Sequence, residues 1–128
     1  MNKLVKPLFF VGGVYDLIIG LAFLSAPYAI FEFIDVVPPN HIGYIQFCAA
    51  FLVVFSLMLF EVARKPVASK NLIPYAALIK ISYCAVVFGH YALGNMPTPW
   101  LYFAFADSIF LLAFVWAYTE IGKGKTEF

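Results

Sequence analysis

The chain has 128 residues, of which 64% are hydrophobic and 20% aromatic, while only 12% carry a formal charge. Soluble domains carry roughly twice that charged fraction, and a net charge of +1 offers no basic surface for nucleic acid and no acidic tail. Cys48 and Cys84 both fall inside apolar runs, so a disulfide scaffold is excluded as well.

In chain order, the first apolar run covers residues 8–30, opens behind Pro7 where a first helical turn tolerates proline, and contains one charge, Asp16. About twenty apolar residues returning a few tenths of a kcal/mol each outweigh the ~2.5–3.5 kcal/mol of one central charge, so the run is expected to insert. It is longer than a cleaved leader and reaches no Ala-x-Ala-like site. Pro27 predicts a kink late in this run, with residues 28–37 turning along the interface to a rigid Pro38-Pro39 corner. The second run, 42–62, is uncharged from Ile42 to Phe60, long enough to cross hydrocarbon at about 1.5 Å per residue. The third, 72–93, carries Lys80, and the fourth, 99–120, carries Asp107. Asn40 and Asn71 are candidate caps for the second and third helices, Thr98-Pro99 reads as a cap followed by proline at the first helical position, and Gly94 and Gly122 mark helix ends. The expected fold class is an all-α membrane protein, a four-transmembrane-helix bundle forming one domain over residues 1–128.

Orientation follows from lysine and arginine. Lys3 and Lys6 precede the first span, Arg64, Lys65 and Lys70 lie between the second and third, and Lys123 and Lys125 follow the fourth. The opposite connections carry Glu32, Asp35 and His41 and no Lys or Arg, so both termini are expected to face the cytoplasm of a cell membrane. Tyr and Trp at the ends of the runs read as interfacial anchors before ligand stackers.

Ionisable groups in hydrocarbon must face the bundle interior and find partners there. Asp16 and Lys80 each lie about 12 Å in from the cytoplasmic side at the helical rise and are expected to pair. Asp107 lies about 12 Å in from the outer side and His90 about 5 Å, which suggests a second, looser pair with Asp107 holding a proton unless His90 is charged. On the third run, Ala76, Lys80, Tyr83, Val87 and His90 share one helical stripe. On the first, Gly12, Asp16 and Gly20 recur every four residues and clear a path for a close neighbouring helix. Gln46 heads a face of the second run with Ala49, Ala50 and Val53, opposite Phe103, Asp107, Leu111 and Phe114 of the fourth, and would complete an outer polar chamber. The candidate ligand or proton site is thus Asp16, Lys80, Tyr83, His90, Asp107 and Gln46. A purely structural role for the buried charges, fixing which helices touch, competes with this. No phosphate-cradling glycine loop, nucleophile elbow, His-Glu-x-x-His motif or metal-ligand spacing is found, so neither catalytic residues nor a metal centre are assigned.

Gly12-Gly13 through Ala26-Pro27, a short outer connection, the Ala63-Arg64-Lys65-Pro66 close of the second run and two further spans resemble the small bacterial membrane proteins grouped around DoxX and DoxX-like domains. The resemblance covers most of the chain as layout. It implies an inner-membrane protein, some relatives being accessory subunits of quinone-linked oxidation systems, and it transfers no functional residue.

The leading expectation is an accessory or lipophilic-ligand-binding membrane protein, its ligand a quinone-like molecule or a lipid, with self-association or a membrane partner subunit. The alternative is a proton-coupled transporter of the small-multidrug-resistance type, with Asp16 as the first-helix acid. That type uses glutamate there, and its dual topology needs a weaker positive bias than this chain has. An intramembrane enzyme has only Asp107 and His90 to support it.

Overall fold

A computed structural model describes residues 3–123. All its elements are helical: α1 (Val5–Ser25), α2 (Pro27–Ile34), α3 (Gly43–Arg64), a single 3₁₀ turn (Lys70–Leu72), α4 (Ile73–Ala92) and α5 (Thr98–Lys123). Helices α1, α3 and α5, and α4 with its preceding turn, are long and apolar enough to cross a membrane, each with a mean hydropathy between 1.7 and 2.2. The chain is a multi-pass membrane protein by this criterion. Side chains such as Phe10, Ile18, Ile109 and Leu112 stand exposed, as lipid-facing positions do.

The break at Pro27 is sharper than a kink. Ser25 ends α1, Ala26 leaves the helical region at φ −141° and ψ 55°, and Pro27 starts α2, where its missing N–H costs nothing. Asp35 then closes α2 in the left-handed conformation at φ 57°. Neither Asn40 nor Asn71 caps a helix: α3 starts after Ile42 and α4 after Leu72, with no side-chain cap bond, and the Gly43 N–H is answered by His41 Nδ1 at 3.0 Å. Gly94, at φ 83°, does follow the end of α4. Gly122 does not end α5, which continues to Lys123. Lys125 lies outside the described residues.

Two buried apolar clusters show how the helices alternate in direction. The start of α1 (Val5, Phe9), the end of α3 (Leu59, Val62), the start of α4 (Ile73, Ala76) and the end of α5 (Phe114, Ala117, Ile121) meet at one end of the bundle. Phe23, Phe31 and Ala49 meet at the other, with Ile42, Ile45 and Trp100 against them. Lys3, Lys6, Arg64, Lys65, Lys70 and Lys123 all belong to the first end. Apart from Lys80, the described lysines and arginine are therefore gathered at one end of the bundle, as their spacing in the sequence requires.

Packing divides the helices into two tight pairs, α1 with α3 and α4 with α5, with far sparser contacts from α1 to α5 and from α3 to α4. Lipid tails are as apolar as leucine, so close backbone approach rather than hydrophobic expulsion holds such pairs. Gly20 supplies that approach. A Cβ there would lie 2.9 Å from Val53 Cγ2 and 3.0 Å from the Ala49 carbonyl oxygen. Gly12 faces the other pair, where a Cβ would lie 3.3 Å from Phe114. The Gly-x-x-x-Asp-x-x-x-Gly spacing thus puts the carboxylate of Asp16 between two places where α1 has no side chain in the way.

Gly20→Val is expected to force α1 from α3 and cost about 1–3 kcal/mol. Gly89→Ala, where nothing lies within 4 Å, should be neutral or stabilising by up to about 1 kcal/mol. Thermal denaturation of both variants in the same detergent measures the contrast.

Candidate functional site

Between the two apolar clusters lies a polar layer. Asp16 enters it from α1, Lys80 from α4 and Asp107 from α5. The Lys80 ammonium donates to Asp16 Oδ1 at 2.9 Å and to Asp107 Oδ1 at 3.1 Å, so one cation bridges two carboxylates on different helix pairs. The side chains of Lys80 and Asp16 are 2% and 3% exposed and that of Asp107 13%, which makes Asp107 the accessible member. The ammonium also lies 5.6 Å from the Tyr15 ring centroid and 5.4 Å from that of Phe110, within cation–π range.

The expected Asp16–Lys80 pair is present. The expected Asp107–His90 pair is not: Asp107 bonds Lys80, and His90 sits exposed near the end of α4. The register of the α4–α5 hairpin is the reason. The two helices run antiparallel from the short connection 93–97, so each residue back along α4 meets one residue forward along α5. The pairing shows in Cys84 with Ala104 and Ser108, and in Phe88 with Phe105. By that register His90 falls level with the start of α5, while Asp107 falls within a turn of Lys80, whose long side chain covers the difference. Gln46 is also elsewhere. Its side-chain amide donates to the Leu24 carbonyl at 3.2 Å and ties the start of α3 to the end of α1, outside the polar layer.

The three charged groups form the floor of a cavity of about 400 Å³. Its walls come from all four long helices: Tyr15, Ile19 and Phe23 of α1, Ile45 to Phe55 of α3, Ile79 to Tyr83 of α4, and Trp100 and Phe103 of α5. Tyr83 keeps its predicted place on the stripe with Lys80, and its hydroxyl donates to the Trp100 carbonyl at 3.1 Å. Aromatic groups lie toward both ends of the bundle. Phe23, Phe31 and Trp100 rest on one another with centroids 5.6–6.1 Å apart above, and Phe9 stacks on Phe114 at 4.8 Å below. The open side is the sparse α3–α4 seam, where the lining residues Cys48 and Ser82 are exposed.

Tyr15, Phe23 and Trp100 were not among the sequence candidates. Tyr15, Ile19 and Phe23 recur at helical spacing beside the Gly12–Asp16–Gly20 stripe, so a wider reading of the buried face of α1 would have found them. Trp100 reads as an interfacial anchor from sequence, and the structure turns it inward as a roof.

Chemically, the layer holds two acids and one base. Fully ionised it carries one surplus negative charge in an apolar setting, which one proton or one external cation would neutralise.

No protein family, curated protein or solved structure matches the chain.

Lys80→Met leaves two uncompensated carboxylates and is expected to cost about 3–5 kcal/mol of stability. The triple variant Asp16→Asn, Lys80→Met, Asp107→Asn should recover most of that loss, since no charge then remains buried. Equilibrium unfolding in one micelle composition compares the two.

Proposed function

We propose that the protein binds a lipophilic small molecule that reaches the cavity from the bilayer, through the α3–α4 seam. The observation that carries this reading is the cavity itself: about 400 Å³, apolar and aromatic on its walls, with its polar groups gathered at one end. Binding sites for small molecules have that character, commonly with about 300–1,000 Å³ of space, apolar walls and a few polar groups that fix orientation. The volume suits a ring-sized head group and the first part of a tail. A quinone is one molecule of that shape, and an accessory role beside a membrane oxidation system, as the DoxX-like layout suggests, would use such a site.

Lateral access is supported by what closes the other routes. The Phe23–Phe31–Trp100 group and the Phe9–Phe114 stack block passage along the bundle axis in this conformation. Transport would require both blocks to open in turn. Binding requires neither, so it is the reading the geometry supports better than proton-coupled transport. The positive residues at one end favour an orientation with that end in the cytoplasm.

Native mass spectrometry of protein extracted gently from its membrane tests the proposal. The wild-type chain should carry a hydrophobic small molecule of bounded mass, and Ser82→Trp, which places an indole at the exposed mouth, should lose it while retaining the wild-type melting temperature. An equally loaded Ser82→Trp variant, or a wild-type chain with nothing bound, would count against the reading.

A further inference from the structure

The charged floor of the cavity has an asymmetry that a neutral ligand does not use. Lys80 spends its hydrogen bonds on one oxygen of each acid, Asp16 Oδ1 and Asp107 Oδ1. The Oδ2 atom of each carboxylate accepts no hydrogen bond among the described residues. Yet no fully buried side-chain oxygen or nitrogen there lacks a partner. The two Oδ2 atoms must therefore reach open space, and both acids line the cavity. What the floor offers an incoming molecule is mainly carboxylate oxygen, with two of the three ammonium N–H groups already engaged.

Charge and walls agree with this. Two carboxylates against one ammonium leave one negative charge to be balanced. Tyr15, Phe23, Tyr83, Trp100 and Phe103 surround the space above it, and the faces of aromatic rings attract cations. Asp107, the more exposed acid, is the one a head group meets first. Against the ionised acids a carbonyl-bearing head would meet lone pair with lone pair, finding a donor only while a carboxyl keeps its proton; a cation would meet them as counter-ion.

We infer that the cavity selects lipophilic ammonium compounds, the cationic head resting against Asp107 and Asp16 under an aromatic roof and replacing the proton that otherwise neutralises the Asp16–Lys80–Asp107 cluster. The inference rests on the lateral-cavity reading above and narrows its ligand class. The exchange balances: one cation enters, and one proton leaves a carboxyl group to water. The titratable groups around the site are Tyr15 and Asp16 from α1, Lys80, Tyr83 and Cys84 from α4, and Asp107 from α5, while α3 contributes Cys48 and no charged side chain. Among these, the two carboxyls are the groups whose proton a cation can replace in acid.

The test uses the full chain with Trp116→Phe in lipid nanodiscs, leaving Trp100 as the reporter in the cavity wall. Dodecylpyridinium, a fixed cation that quenches indole fluorescence, is titrated in and then displaced by dodecyltrimethylammonium, dodecanol or decylubiquinone, with empty nanodiscs correcting for partition. Saturable quenching is expected, reversed by dodecyltrimethylammonium and not by the two uncharged compounds. Because both cations keep their charge at every pH, any pH dependence belongs to the protein: apparent affinity should fall toward tenfold per unit once the carboxyls bind protons. Asp107→Asn should weaken binding at least tenfold with unchanged melting temperature, and the wild-type pH series gives the same information if that variant does not fold. Displacement by decylubiquinone or dodecanol as effective as by the cation, with no pH dependence, would overturn the charge selection and leave the lateral cavity standing. Quenching that never saturates would overturn the selection of cations, and the lateral cavity would then stand or fall on the native mass spectrometry above.

Discussion

One ammonium group supplies the polar tie between the two halves of this bundle, among the described residues. Helices α1 and α3 pack closely, and so do α4 and α5, but between the pairs the polar contacts converge on Lys80, which reaches Asp16 on one pair and Asp107 on its own. In lipid the hydrophobic effect gives helices little reason to associate, so a charge bridge that cannot be satisfied elsewhere is a strong specifier of which helices meet. Its cost is the removal of three ionisable groups from water, and it is tolerable because each has a partner at hydrogen-bond distance. The glycines either side of Asp16 let the neighbouring helices come near enough for that geometry to form.

The same arrangement explains why there is a cavity. A polar layer cannot be packed by the aromatic clusters above and below it, and the α3–α4 seam carries few contacts to close it from the side. What results is a space with aromatic rings toward both ends of the bundle, charge at its floor and the exposed Cys48 and Ser82 at its α3–α4 side. Structure and chemistry therefore coincide at the site: the groups that orient the helices are the groups a ligand would meet.

Much of the fold could be read in the sequence, because long uncharged runs and the gathering of lysine and arginine follow directly from the cost of charge in hydrocarbon. The Asp16–Lys80 pair was legible too, since both residues enter from the same side and lie at equal depth. Asp107 was placed with His90 because depth was measured from helix ends alone. The register of a hairpin closed by the short 93–97 connection is the stronger constraint, and it puts Asp107 near Lys80 instead. Helix starts were misread where asparagines looked like caps, the actual boundaries being set by backbone geometry and by His41. The cavity was the least legible feature. It depends on Tyr15, Phe23 and Trp100 turning inward, and apolar periodicity in a span that is apolar all round does not tell a lipid-facing ring from an inward one.

The central claim is the bridge itself. Solid-state NMR in lipid bilayers can measure dipolar couplings from the Lys80 side-chain ¹⁵N to the side-chain carboxyl ¹³C atoms of Asp16 and Asp107, with Lys80→Met assigning the lysine signal. Contacts of 2.9 and 3.1 Å from the nitrogen to one oxygen of each acid predict strong coupling to both carboxyl carbons from a single ammonium. Coupling to only one carboxyl, or to neither, would contradict the bridge, and with it the union of the two helix pairs and the charged floor of the cavity.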